Sequence, residues 1–125
     1  MASAPSISVS EWAVMQVLWD RSPLSAAEVV EALEGEKDWS PRTTKTLLNR
    51  LVGKGALKYQ TQGNKYLYSP AVRREQCIRH ASRSFLEQVF GGAALPALIH
   101  LVTNERLKPG EIDELRRLLD ERRSS

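Results

Sequence analysis

Arg42, Thr43, Lys45, Thr46, Asn49 and Arg50 fall within one short segment, and most of them recur at the spacing of a single helical face, with Lys45 on its flank. The group mixes small hydroxyls and an amide with long cations, and it contains no carboxylate. That mixture suits a helix laid in the major groove of DNA. There Arg and Asn bond base edges, a Thr methyl meets thymine, and Lys or Arg meets phosphate. The alternative is an ordinary amphipathic helix whose basic face is simply wet. Lys54, Lys58 and Lys65 follow in sequence and are candidates for further DNA contacts, Lys58 and Lys65 with the phosphate backbone.

A helix must present these residues, and both its ends are marked. Ser40 can cap the first turn, Pro41 suits the first helical position, and Gly55 after Lys54 can supply a left-handed stop. Between them Thr44, Leu47, Leu48, Leu51 and Val52 form an apolar stripe opposite the polar face.

The charge distribution favours nucleic acid. The chain of 125 residues has a formal net charge of only +3. Residues 39–74, however, carry eight basic side chains and no acidic one, whereas residues 1–38 carry two basic and seven acidic ones. A one-sign block of this kind is the footprint of a phosphate-facing surface.

Upstream, after a loose arm over Met1–Ile7, Ser8/Glu11 and Ser25/Glu28 each have capping-box spacing. They predict a first helix to about Trp19, with Trp12, Met15, Leu18 and Trp19 on its core face and Val9 at its start. A second helix runs to Leu33 or Glu34, with Ala26, Val29, Val30 and Leu33 inward and its acidic face turned away from DNA. Two short helices followed by a cationic one make the helix-turn-helix order. After Gly55 the period changes to two. Leu57–Thr61 and Lys65–Ser69 read as strands around the turn-forming Gln62-Gly63-Asn64, a hairpin wing. Its three tyrosines are expected to pack on the domain or bond phosphate rather than stack on bases.

From about Ala71 to Phe90 the pattern is again helical, followed by a short helix over Leu95–Val102 and a last one over Glu111–Arg122. About 50 residues in three helices make a marginal core. They nevertheless carry Phe85, Leu95, Leu98, Ile99, Val102, Ile112, Leu115, Leu118 and Leu119, with no cysteine or metal staple. A second copy of the chain is the economical cover, and a two-fold dimer would set two reading helices one or more DNA turns apart. The expected fold is mainly α with a small β-hairpin wing. Residues 1–70 form a winged helix-turn-helix DNA-binding domain and residues 71–125 a three-helix dimerisation domain.

The segments Glu11-Trp12-x-Val14-Met15, Asp38-Trp39-Ser40-Pro41-Arg42-Thr43-x-x-Thr46-Leu47 and Arg50-Leu51-x-x-Lys54-Gly55 resemble the penicillinase-repressor family (BlaI/MecI/CopY type). Tyr66-x-Tyr68, Gly91-Gly92 and Glu111-Ile112-x-Glu114-Leu115 fit the same pattern, so the resemblance runs from about Ile7 to Arg122. It implies a dimeric transcriptional repressor on a palindromic operator of TACA…TGTA type. Arg42, Thr43, Lys45 and Thr46 occupy the family's groove-facing positions, and Arg50 a backbone-contacting one. In β-lactam-responsive members a membrane-bound sensor protease system leads to cleavage in the C-terminal domain, which breaks the dimer and frees the operator. Those members are cut at an Asn-Phe bond, where this chain has His100-Leu101, with one extra residue after Gly92. Copper-responsive members carry paired Cys-x-Cys motifs, whereas Cys77 is the single cysteine here.

Other chemistry finds little support. Cys77 reads as a packed residue rather than a redox sensor. His80 and His100 lack companions at metal-ligand spacing, so no metal is expected. No nucleophile–base pair or phosphate loop points to an enzyme, and no cofactor is implied. With no signal-peptide core and no apolar run of membrane-span length, the expected setting is the cytoplasm without membrane insertion. Two alternatives stand beside the repressor. A small-molecule-sensing winged helix would need a pocket between the wing domain and the dimer helices, and no polar cluster marks one. A protein-contact winged helix would put apolar residues where Arg42, Lys45 and Arg50 stand.

Overall fold

The computed structural model describes residues 4–125; the first three residues of the expected N-terminal arm lie outside it. The chain divides into two compact units, Met1–Ser84 and Phe85–Ser125, with the division inside one helix.

In the first unit, α1 (Val9–Asp20), α2 (Ala26–Leu33) and α3 (Pro41–Gly53) pack on one another and on a small sheet. Both capping boxes form. The Ser8 and Ser25 N–H groups donate to Glu11 and Glu28, and the serine hydroxyls accept the return bonds. Two such boxes satisfy helix-end donors that would otherwise be orphaned. The core is built from Val14, Met15 and Leu18 of α1, Val29 and Leu33 of α2, and Leu47, Leu48 and Leu51 of α3. Val9 departs from expectation: at the first helical position it is 87 % exposed, and Val14 supplies the inward valine. Trp19 packs at the core edge, with the Trp12 ring 5.4 Å from it centroid to centroid, and the Trp19 indole N–H donates to the Val72 carbonyl at 3.1 Å.

The sheet has three strands, not two. Strands β2 (Leu57–Gln62) and β3 (Lys65–Pro70) form the expected hairpin, turning at Gly63 with φ +62°. The two residues Leu24 and Ser25 form β1, antiparallel to β3 on its other side, in the order β1-β3-β2. Pairing of Leu24 with Tyr68 fixes the start of α2 against the wing.

The later helices also shift. α4 spans Arg74–Phe90, beginning after Ala71–Arg73 because the Ala71 N–H still pairs with the Ala56 carbonyl at 2.8 Å. Cys77 on it is buried, and that burial pushes its thiol pKa up, which disfavours thiolate. α5 (Ala94–Asn104) and α6 (Pro109–Ser124) are both longer than their apolar repeats. No single helix among the described residues is long and apolar enough to cross a membrane.

Candidate nucleic-acid interface

Helix α3 is positioned by its two ends. The Ser40 hydroxyl accepts the Thr43 N–H at 3.2 Å, with Pro41 at the first helical position. At the other end the N–H groups of Gly55 and Ala56 reach back to the carbonyls of Val52 and Leu51, each at 3.0 Å. This double bond pattern needs a left-handed residue, and Gly55 takes φ +81° without the penalty a Cβ would carry. Ala56 and Leu57 then plunge into the core, which fixes where the wing starts.

With α3 anchored by Thr44, Leu47, Leu48 and Leu51, its other face is open. Arg42, Thr43, Lys45, Thr46, Asn49 and Arg50 are all exposed. Arg42, Thr43, Thr46 and Arg50 border one shallow groove of about 310 Å³. The Thr46 hydroxyl donates to the Arg42 carbonyl at 3.0 Å. Its proton is therefore spent, and toward a ligand Thr46 offers a lone pair and a methyl. Lys45 lies elsewhere on the helix and shares a second cavity with Lys65 of the wing. Asn49 and Lys58 border neither cavity and are exposed.

Lys54 is engaged differently. Its ammonium donates to Glu11 Oε1 at 2.5 Å and to the Ser6 carbonyl at 2.8 Å. The Glu11 side chain is fully buried, while 32 % of the Lys54 side chain is accessible. A buried carboxylate needs such a partner, and Lys54 supplies it. Capping-box spacing explained Glu11 locally, but it carried no sign of a cation far along the chain.

The acidic face of α2 is exposed. Glu28 on it is held below the ordinary carboxylate range, chiefly by the Ser25 backbone and hydroxyl bonds, with smaller contributions from the charges of Lys65 and Arg21. On the wing, Tyr59 and Tyr66 stack on each other with centroids 4.4 Å apart, and Tyr68 is buried. Tyr66, Tyr68 and Asn64 border the cavity that Lys45 and Lys65 share, a grouping not anticipated from sequence. Strand alternation alone would have set Tyr66 and Tyr68 on one face.

In the second unit the predicted apolar set faces outward. Phe85, Leu95, Leu98, Ile99, Val102, Ile112, Leu118 and Leu119 are between 41 % and 67 % exposed in the single chain, and Leu115 is half-buried. His100 and Leu101 lie inside α5, and the His100 carbonyl also accepts a bond from the Asn104 side chain at 2.9 Å. Among the described residues no group of three or more His, Cys, Asp or Glu is arranged to hold a metal ion.

Comparison with known proteins gives a consistent picture. The family model described as penicillinase repressor matches residues 7–121. The chain is 34 % identical over 124 residues to the penicillinase repressor of Bacillus licheniformis, covering 99 % of this chain and 97 % of that protein. It is 32 % identical over 116 residues to the methicillin resistance regulatory protein MecI of Staphylococcus aureus (strain N315), covering 93 % and 94 %. Among solved structures it is similar to the DNA binding domain of the repressor BlaI, with TM-score 0.55 and 37 % identity over 61 % of this chain and 93 % of that one. The monomeric form of Bacillus licheniformis BlaI in complex with the blaP half-operator gives TM-score 0.53 at the same identity and coverage.

Proposed function

Because this chain belongs to the penicillinase repressor family, we propose that it is a homodimeric transcriptional repressor that reads a two-fold operator with α3. One observation carries the reading. In a three-helix and wing scaffold similar to a BlaI domain solved on a half-operator, the solvent face of α3 displays Arg42, Thr43, Thr46, Asn49 and Arg50 without a carboxylate. Arg42 and Asn49 have the donors for base edges, Thr46 an acceptor and a methyl, and Arg50 a phosphate-reaching guanidinium. Lys45, Lys58 and Lys65 add sequence-independent attraction to the backbone. Lys54 holds α3 in place and makes no direct contact with DNA.

The exposed apolar set of α4, α5 and α6 is the dimer face. Each such side chain gains about 1.5–3 kcal/mol when withdrawn from water, and a second copy offers the same surface in return. Joining two modules turns the second half-site contact into an intramolecular event, so weakening the dimer empties the operator without touching α3. A sensor protease acting at His100–Leu101 would release it this way, once α5 had unwound to expose that bond. The exposed α3 face is cationic and polar, which disfavours a purely protein-contact role.

Fluorescence anisotropy with a TACA…TGTA duplex and a scrambled one, at several salt concentrations, tests the reading. Tight, salt-dependent binding of one dimer to the first duplex is expected. Absence of binding to either duplex at low salt would discard DNA recognition.

A further inference from the structure

A cavity of about 510 Å³ lies entirely within the first unit, between the start of α2, the start of α3 and the wing. Its volume falls in the ordinary range for small-ligand sites. Tyr66 and Tyr68 give it aromatic surface, and Ala26, Val30 and Pro41 give it aliphatic walls. Two cations, Lys45 from α3 and Lys65 from β3, also line it, and among the described residues no acidic one does. The neighbouring Glu28 carboxylate is turned onto the Ser25 N–H at 2.9 Å. Tyr68 is 6 % exposed overall and contributes to the cavity lining. Its phenol is a hydrogen-bond donor on the same lining as the two cations.

We propose that this cavity binds a small aromatic carboxylate, with the ring against Tyr66, Val30 and Pro41 and the carboxylate on Lys45, Lys65 and the Tyr68 hydroxyl. A flat apolar ring suits the Tyr66 face and the aliphatic walls, and an anion suits Lys45 and Lys65, the only charged side chains among the described lining residues. Occupancy would consume the two lysines that the operator reading assigns to phosphate, so the ligand and DNA exclude one another. This second clause rests on the proposed function, whereas binding itself does not.

The test is a heteronuclear NMR titration of the full chain with 1-naphthoate, using 1-naphthamide as the uncharged control. The expected result is saturable shifts centred on Val30, Tyr66 and Tyr68 with the acid, and much weaker ones with the amide. Lys45→Ala should weaken the acid about tenfold or more, the loss of one charge-assisted bond. Tyr68→Phe should weaken it several-fold while leaving operator affinity unchanged, because it keeps the ring and lies outside the proposed DNA contacts. Anisotropy on operator duplex should then show DNA affinity falling as naphthoate rises, and recovering in the Tyr68→Phe chain. Equal binding of acid and amide, shifts centred on α5 and α6, or no shift at saturating acid would each overturn the site. Naphthoate binding with operator affinity unmoved would overturn the competition. Naphthoate binding by a chain that ignores the operator would uphold the site and reject the repressor reading instead.

Discussion

The Lys54 ammonium lies 2.5 Å from the Glu11 carboxylate, joining the last turn of α3 to the first turn of α1 across 43 residues of sequence. The same carboxylate oxygen accepts the Ser8 N–H at 2.8 Å, so one buried atom serves as helix cap and ion-pair partner at once. The other oxygen, Oε2, is buried without a partner among the described residues, which makes the pair dependent on its single cation.

Lys54→Met should therefore destabilise the fold by about 1–3 kcal/mol, less than a fully enclosed pair would lose because part of the lysine is wet. Urea midpoints measure this. Glu11→Gln in the same chain should recover part of the loss, since it removes the unpaired charge. If Lys54→Met left stability intact and only shallowed the salt dependence of DNA binding, Lys54 would be a phosphate contact after all.

Acid should expose the same pair. Burial raises the Glu11 pKa, but the Lys54 bond, the Ser8 bonds and the lysine charge together outweigh it and hold the carboxyl below its ordinary 4.5. A group lowered by folding contributes stability that is full above the unfolded value and is lost as pH falls through the folded one. Stability should thus decline below about pH 4.5, and Glu11→Gln should flatten that part of the profile in thermal melts.

Arg42→Ala and Thr46→Ala should relax operator choice, each costing on the order of 1–3 kcal/mol against the preferred base and little against a scrambled duplex. Both side chains are exposed, so melting temperature should hardly move. Unchanged discrimination in both variants would show that α3 does not read the bases.

Lys58→Ala and Lys65→Ala should weaken binding evenly across sequences. Each should reduce the slope of log affinity against log salt by about one. A loss confined to one operator sequence would instead mark a base contact.

Leu98→Glu or Leu119→Glu should yield a monomer by sedimentation, because each places a charge on the exposed apolar set. Affinity for a half-site should persist. Affinity for the full operator should fall by about 10²–10⁴, the usual range for losing a linked second contact. A dimer that survived both changes would place the interface elsewhere.

Much of the first unit was legible because its signals are local. Ser8, Ser25 and Ser40 start the three helices, and Gly55 marks the stop of α3 just beyond Gly53. Thr44 reads as inward and Asn49 as outward from periodicity alone. What escaped depends on distant partners. Leu24 and Ser25 are too few to show an alternation, and they are a strand only because Leu67 and Tyr68 lie beside them. Glu11 looked like a cap and is one, but its burial is set by Lys54. Val9 is apolar and at the right place for a helix start, yet none of the described residues covers its side chain. The shared cavity of Lys45 and Lys65 needs α3 and the wing to approach in space, which no spacing rule encodes.

Ala56 belongs to two hydrogen-bond systems: its N–H closes the end of α3 on Leu51, and its carbonyl takes the Ala71 N–H beside the sheet. Helix and wing consequently share a joint that backbone hydrogen bonds hold from both sides. In the proposed complex this joint sets the gauge between the reading side chains of α3 and the wing lysines. A duplex whose groove width differs from that gauge must itself deform to be held. Such a protein would discriminate by the stiffness of base steps it never touches, in addition to those it reads directly.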